Sequence, residues 1–463
     1  MPPTPLRRTL AVGIDPAAAF AALHADDPRA FWLDGGRGAT AGMSYLGAAE
    51  TVVEARSWSE LRHLWPAPQG AGDGDPRRSG EPAPDMPPAS DSAPPFGLGW
   101  VGWLEYELGT LDEELTRGPR AHPAGRIPSR FLLVERAVAI DHATGEVTLL
   151  ALPAPDALDW FDSTERALVE VARASVAPAP SVARADTVAH PRHDFSRYAH
   201  LVEECRRVIA AGEAYQLCLT NTLDVPGRFD PWDTYLRLRE LSPTAHGGYL
   251  RIDDTALLSA SPELFLRVSA DGRVVTRPVK GTRRRGTDTA DDARLAAELL
   301  ASEKERAENL MIVDLMRNDL ARVCELGTVR VSELLAVETH PQVHQLVSTV
   351  EGRLRAGLDV VDALGATFPA GSMTGAPKRS AMRHLERFEG GERGVYSGAF
   401  GFLSFDGAAE LAMVIRSVVV TAGGASVGTG GGITTLSVAA EEVEETRLKA
   451  AALLRVLGAV LPG

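Results

Sequence analysis

Apolar alternation recurs along this chain without a regular helix between successive runs, and that ordering restricts the fold more than any single motif does. RFLLVERAVAI, EVTLLAL, TALLSA, ELFLRVS, RVVTRPV and LAMVIRSVVV carry the patterns of strands. Helical periodicity appears in SRYAHLVEECRRVIAAGE and in DDARLAAELLASEKERAENLMIVDLMRND, which reads as one long helix capped by Asp291 or Asp292. A parallel nucleotide-binding sheet requires strand and helix to alternate. Here they do not, so the expected class is α+β with large antiparallel sheets.

At 463 residues the chain has room for two or three domains, or for one large double-layered unit. Residues 66–95 are rich in Pro, Gly, Ser and Asp and lack apolar periodicity, the composition of a disordered insertion. SVAPAPSVARADTVAHPRHDFS marks a weaker boundary, dividing an N-terminal region, 1–185, from a C-terminal block, 186–463, where the chemistry is expected. A formal charge of −14 would repel nucleic acid and anionic membranes, so neither is an expected partner. The three cysteines, Cys205, Cys218 and Cys324, are few and widely spaced, as in a reduced cytoplasmic protein. The N-terminal apolar stretch Leu10 to Ile14 is too short for a signal peptide, and no run approaches a membrane span.

In the long helical segment, Leu300, Ala307, Met311 and Leu315 mark an apolar stripe with Glu308 at its edge. A glycine run, Gly430 to Gly432, precedes a helix carrying Glu441, Glu442, Glu444 and Glu445. Such glycines can expose backbone N–H groups to an anion, and hard carboxylate oxygens suit Mg²⁺. An ordinary turn and a solvated acidic face, with Glu445 and Lys449 as an i,i+4 ion pair, fit the same spacing. In RPVKGTRRRG, Lys280 follows a strand-like run and precedes a Gly-Thr turn, and it becomes a nucleophile only if its surroundings lower its pKa. The arginines after it read as a solvated turn. Glu263, in SPELF, is a candidate general acid if burial raises its pKa. No P-loop, no GxGxxG after a strand and no GxSxG elbow occurs.

Taken in order, EAYQLCLTN, SPELF, RPVKGTRRRG, KERAENLMIVDLMRNDL, HQLVSTV, PAGSMTGAPKRSAM, GVYSGAFGF, VIRSVVV and GGGITTLS with EEVEETRLKA resemble the chorismate-utilising enzymes over most of residues 185–450. FWLDGGRG, MSYLG and PFGLGWVGWLEYELG are similar to the family's front subdomain. The resemblance implies two subdomains whose large antiparallel sheets pack in a sandwich with helices outside. It implies Mg²⁺ held by Glu308 and Glu445, with Glu442 acting through water. It also implies that Tyr396, Arg416, Thr282, Lys449 and the backbone of Gly430, Gly431 and Gly432 bind chorismate, and that Glu263 protonates the departing hydroxyl. Anthranilate synthases resemble this chain but have alanine where Lys280 stands; the branch that makes 4-amino-4-deoxychorismate has PxKGT, as here. The implied route is attack of Lys280 at ring C2, then ammonia addition at C4. Relatives that activate water have a lysine where Gln216 stands, and an amide cannot serve as that base. The family's histidine before LVS is replaced by Gln345, with His344 one residue earlier, so no role is carried to that histidine. A separate glutamine amidotransferase subunit, forming a heterodimer, is the expected ammonia source. Anthranilate formation, or non-catalytic binding of an acidic metabolite, are the alternatives.

Overall fold

The computed structural model describes residues 3–65, 95–110, 127–173, 187–340 and 342–462. The insertion expected at 66–95 lies outside them apart from Pro95, and so does the boundary expected at residue 185. Among the described residues two antiparallel sheets dominate, one of 12 strands and one of 10.

Several apolar runs exceed one strand because the chain passes from one sheet to the other within them. RFLLVERAVAI divides into Ser129–Val134 in the smaller sheet and Arg136–Asp141 in the larger. LAMVIRSVVV divides between Ala409–Met413 in the smaller sheet and Ser417–Thr421 in the larger, and Thr255–Ser261 in the larger passes to Leu264–Val268 in the smaller. These last two crossings lie side by side. Met413 N–H donates to Glu263 O at 3.0 Å and Ala260 N–H to Arg416 O at 3.1 Å, so the ladder continues around the corner.

Phe31, Leu250 and Leu257 of the larger sheet pack with Val101, Phe400 and Phe402 of the smaller. The approach is close: a Cβ on Gly248 would lie 2.3 Å from the Phe400 ring. Helices Pro16–His24, Ala157–Arg173, Pro231–Leu241 and Ala439–Val456 pack on the larger sheet, and Glu303–Ala321 and Val360–Thr367 on the smaller. Strands such as Thr255–Ser261 and Ala399–Ser404 are buried on both faces, so where alternation was expected the burial is continuous. Strands from either side of residue 185 share both sheets: Arg29–Asp34 pairs with His246–Ile252, and Gly99–Leu104 with Ala399–Ser404. No described helix is long and apolar enough to cross a membrane.

The segment expected as one helix is two, Thr289–Ala301 and Glu303–Ala321, divided at Ser302. Ser302 is extended and its hydroxyl accepts from Glu305 N–H at 3.4 Å, an N-cap inside an otherwise helical pattern. Asp288 caps the first helix, accepting from Asp291 N–H at 2.9 Å, in place of Asp291 or Asp292. The break also changes which face is apolar. Ile312, Val313, Met316 and Leu320 are buried, whereas Leu300 and Ala307 are exposed, and Glu308 is buried rather than at an edge.

Candidate active site

A cavity of about 500 Å³ is lined in part by Pro262, Glu263, Ile415 and Arg416, the residues of the two adjacent sheet crossings. Lys280, Thr282, Glu308, Tyr396, Gly430, Gly431, Gly432, Glu442, Glu445 and Lys449 also line it, so the candidate catalytic, substrate-binding and metal-holding residues meet in one place, with Gln216 behind Gly432.

Lys280 lies within the strand Val279–Arg284, not after one. This strand pairs with Val343–Arg353 in the register Lys280 to Leu346 and Thr282 to Gln345, leaving Gly281 as an extra, bulged residue at φ 76°. A Cβ on Gly281 would meet Leu299 Cδ1 at 2.7 Å, so both backbone and space require glycine. Burial pushes the Lys280 ammonium down, but Glu308, Glu263 and Glu305 outweigh it, and the group is held above its ordinary value. In the free protein the surroundings therefore do not provide the lowered pKa that a nucleophilic amine needs.

Glu263 is 6% exposed, and burial raises its carboxyl above the ordinary range even though Lys280 and the nearby Ser372 hydroxyl favour the charged form. The Ser372 hydroxyl has no hydrogen bond of good geometry. Arg416 adopts the left-handed region at φ 52°, an uncommon conformation for a side chain of this size. Its guanidinium has no ion-pair partner among the described residues, and burial lowers its pKa against the opposing influence of Tyr396 and Glu445. A part-buried cation with no ion-pair partner among the described residues suits an anionic ligand. Burial also raises the Tyr396 hydroxyl far above its ordinary value, keeping it a neutral hydrogen-bond donor.

The glycine run lies inside the strand Gly424–Ile433, not in a turn. One edge pairs with Gln216–Pro226 through Ile433; on the other, pairing with Ser417–Thr421 stops at Val427. Beyond that point Lys449 Nζ donates to Gly430 O at 2.9 Å. The absent side chains also make room. A Cβ on Gly432 would lie 2.3 Å from Gln216 Nε2 and 3.5 Å from Glu308 Oε2, and one on Gly431 would lie 3.0 Å from Glu442 Oε2. Gln216 is fully buried, and neither amide atom has a hydrogen-bond partner among the described residues.

Glu308 is 7% exposed, and burial raises its pKa against Lys280 and Lys304. Glu445 is half-exposed and pairs with Lys449 at 2.6 Å; burial opposes its ionisation, but Lys449, Lys304 and Lys280 together hold its pKa low. The ion pair and the cavity position therefore coexist. Glu442 is buried, its Oε1 accepting from Ser437 Oγ at 2.7 Å and Lys304 Nζ at 3.2 Å. Among the described residues no three His, Cys, Asp or Glu side chains converge as a metal cage. Two carboxylates without thiolate or imidazole fit Mg²⁺, which commonly takes one or two protein carboxylates and keeps several waters.

Neighbouring positions in the strand Val343–Arg353 point oppositely. Gln345 lines the cavity, whereas His344 is turned away, its Nε2 2.9 Å from Asp292 Oδ1 and its Nδ1 2.9 Å from Thr339 Oγ1. The arginine run is a strand through Arg284 rather than a turn, and its side chains stay partly solvated while pairing with carboxylates. Arg283 faces Glu298 at 3.3 Å, Arg284 faces Asp291 at 3.2 Å and Arg285 grips Asp292 with two bonds of 2.8 and 2.7 Å. Lys304 and Glu305 also line the cavity but escaped the sequence reading. The pattern Ser302-x-x-Glu305 marks a helix start and would have placed both in a first turn.

A family model described as chorismate binding enzyme matches residues 11–455. Over 470 residues the chain is 44% identical to an aminodeoxychorismate synthase from Streptomyces pristinaespiralis, covering 97% of this chain and 64% of that one. It is 39% identical over 464 residues to an anthranilate synthase component 1 from Streptomyces coelicolor, covering 95% and 86%. The crystal structure of anthranilate synthase component I from Streptococcus pneumoniae superposes with a TM-score of 0.70 at 27% identity, covering 98% of this chain and 92% of that one. The chain thus spans less than two thirds of the length of the first relative.

Proposed function

This chain belongs to the chorismate binding enzyme family, and we propose that it converts chorismate and ammonia to 4-amino-4-deoxychorismate, as the chorismate-binding component of an aminodeoxychorismate synthase. The observation that carries this reading is the placement of Lys280 in the same cavity as the buried acid Glu263 and the unpaired Arg416. Arg416 and the neutral Tyr396 hydroxyl bind substrate carboxylate, with Lys449 and Thr282 adding a charge and a hydroxyl at the rim. Glu308 and Glu445 would hold Mg²⁺, with Glu442 acting through water. When bound, that ion supplies a docking point for the ring carboxylate and offsets the negative field that now holds Lys280 protonated.

After losing its proton, the Lys280 amine attacks ring C2. As the N–C2 bond forms, both ring double bonds shift, from C1=C2 and C5=C6 to C1=C6 and C4=C5, the C4–O bond breaks and Glu263 donates its proton, so the hydroxyl leaves as water. Ammonia then forms the C4–N bond while the C2–N bond to Lys280 breaks, regenerating the amine. Burial of Glu263 keeps its proton available at a pH where an exposed carboxyl has lost it. Gln216 has no basic lone pair, so water is not activated as a competing nucleophile. Ammonia is supplied by a glutamine amidotransferase subunit, for which free ammonium substitutes in vitro.

Anthranilate formation is the rival, because relatives of that name cover most of this chain. Incubation with chorismate, Mg²⁺ and ammonium, followed by the lyase that cleaves 4-amino-4-deoxychorismate, should yield 4-aminobenzoate. Anthranilate in its place would overturn the assignment, and binding without consumption would favour a non-catalytic protein.

A further inference from the structure

Lys304 occupies the first turn of the helix Glu303–Ala321, where the positive end of the helix dipole disfavours a cation. Its compensation comes from across the cavity. The ammonium lies 3.2 Å from Glu442 Oε1, a carboxylate only 2% exposed, whose other donor, Ser437 Oγ, reaches the same oxygen at 2.7 Å. Burial works against the charge on Lys304, but Glu442, Glu308 and Glu445 more than offset it. These are the three carboxylates assigned above to the divalent ion and its water. The Lys304 side chain is itself 38% exposed, so its flexible stem has a path to solvent.

We propose that Lys304 is an internal counter-cation that occupies the carboxylate end of the cavity and competes with the divalent ion for it. The proposal rests on the metal assignment above. Without Lys304, Lys280 would still face Glu308, but the buried Glu442 beside it would keep only the Ser437 hydroxyl as a partner. With Lys304 in place the free protein is balanced, and an entering ion must displace a positive charge before it meets the full negative field. Divalent-ion affinity is therefore set below what the carboxylates alone would give.

The test separates this role from simple structural support by its sign. Lys304→Gln keeps a donor for Glu442 but removes the charge, and Lys304→Arg keeps the charge. Mn²⁺ binding to each protein without substrate is read from the electron paramagnetic resonance signal of the free ion. Half-saturating Mg²⁺ is read from chorismate consumption with ammonium. Lys304→Gln should bind Mn²⁺ about tenfold more tightly and need about tenfold less Mg²⁺, whereas Lys304→Arg should match the wild type or bind more weakly. Loss of folding or of a helpful ligand would shift both readouts of Lys304→Gln the other way. Unchanged or weaker Mn²⁺ binding in that variant, with wild-type turnover still dependent on Mg²⁺, overturns the competition and leaves the proposed function standing. Wild-type turnover that needs no divalent ion overturns both.

Discussion

Gly428→Ala is a one-methyl test of how substrate is held. Gly428 lies in the strand Gly424–Ile433, outside the left-handed region, so its backbone accepts alanine. Space does not. The new Cβ would lie 2.0 Å from Tyr396 Cγ and 2.3 Å from Cδ1 and Cδ2, against the ~3.5 Å at which carbon atoms normally meet. The ring must therefore retreat by about 1.5 Å or the strand must shift. Overpacking of this kind costs about 1–3 kcal/mol of stability, and a 1 Å misplacement at a reacting site can cost about a hundredfold in rate. Calorimetric titration with chorismate and Mg²⁺, ammonium withheld, should show a dissociation constant raised about tenfold to a hundredfold, since each tenfold is about 1.4 kcal/mol. Gly365→Ala is the control: this exposed helical glycine has nothing within 4 Å of a new Cβ, so it should bind normally and be no less stable. Gly428→Ala binding within twofold of wild type would refute the assignment of Tyr396 to the substrate.

Glu263→Gln should retain chorismate binding but lose about 10²–10⁴ in kcat. Because burial raises the acid, wild-type activity should fall as pH rises through that raised value, and any residual activity of the variant should lack this alkaline limb in a pH–rate profile. Asp292 is held well below the ordinary carboxyl range by Arg285, the Gly286 N–H and His344. Its contribution to stability is therefore complete above about pH 4 and is lost as pH falls through the depressed value. Urea unfolding should find Asp292→Asn less stable than wild type at pH 7, with the gap narrowing in acid; a gap independent of pH would contradict this linkage.

The sheet class was legible because strand periodicity is local, and the antiparallel assignment needed only the absence of interleaved helices. Where two strands run together, as in LAMVIRSVVV, sequence gives no mark of the sheet change: Val414 to Arg416 stay apolar or long-chained while the backbone turns the corner. Glu263 and Arg416 were found by motif, but their shared position follows from pairing distant in sequence. Charge was the harder quantity. The Lys280 nucleophile was made conditional on surroundings that lower its pKa, and in the free protein they do not, because Glu308 and Glu305 arrive from a helix whose start at Ser302 went unnoticed. The ion pairs of the arginine run went unread for the same reason, since Asp291, Asp292 and Glu298 reach it only when the helix folds back beside the strand. Gly430 to Gly432 were read either as N–H groups exposed to an anion or as an ordinary turn, whereas they lie in a strand and their missing side chains admit Gln216, Glu308 and Glu442.

A nucleophilic Lys280 must leave a covalent adduct when ammonia is withheld. The protein is incubated with chorismate and Mg²⁺ in the absence of ammonia, quenched in acid and digested, and the peptide carrying Lys280 is weighed. The expected result is a gain equal to chorismate less one water, localised to Lys280 and lost when ammonium is added before the quench. An unmodified peptide, in protein that does form 4-amino-4-deoxychorismate once ammonium is supplied, would contradict it.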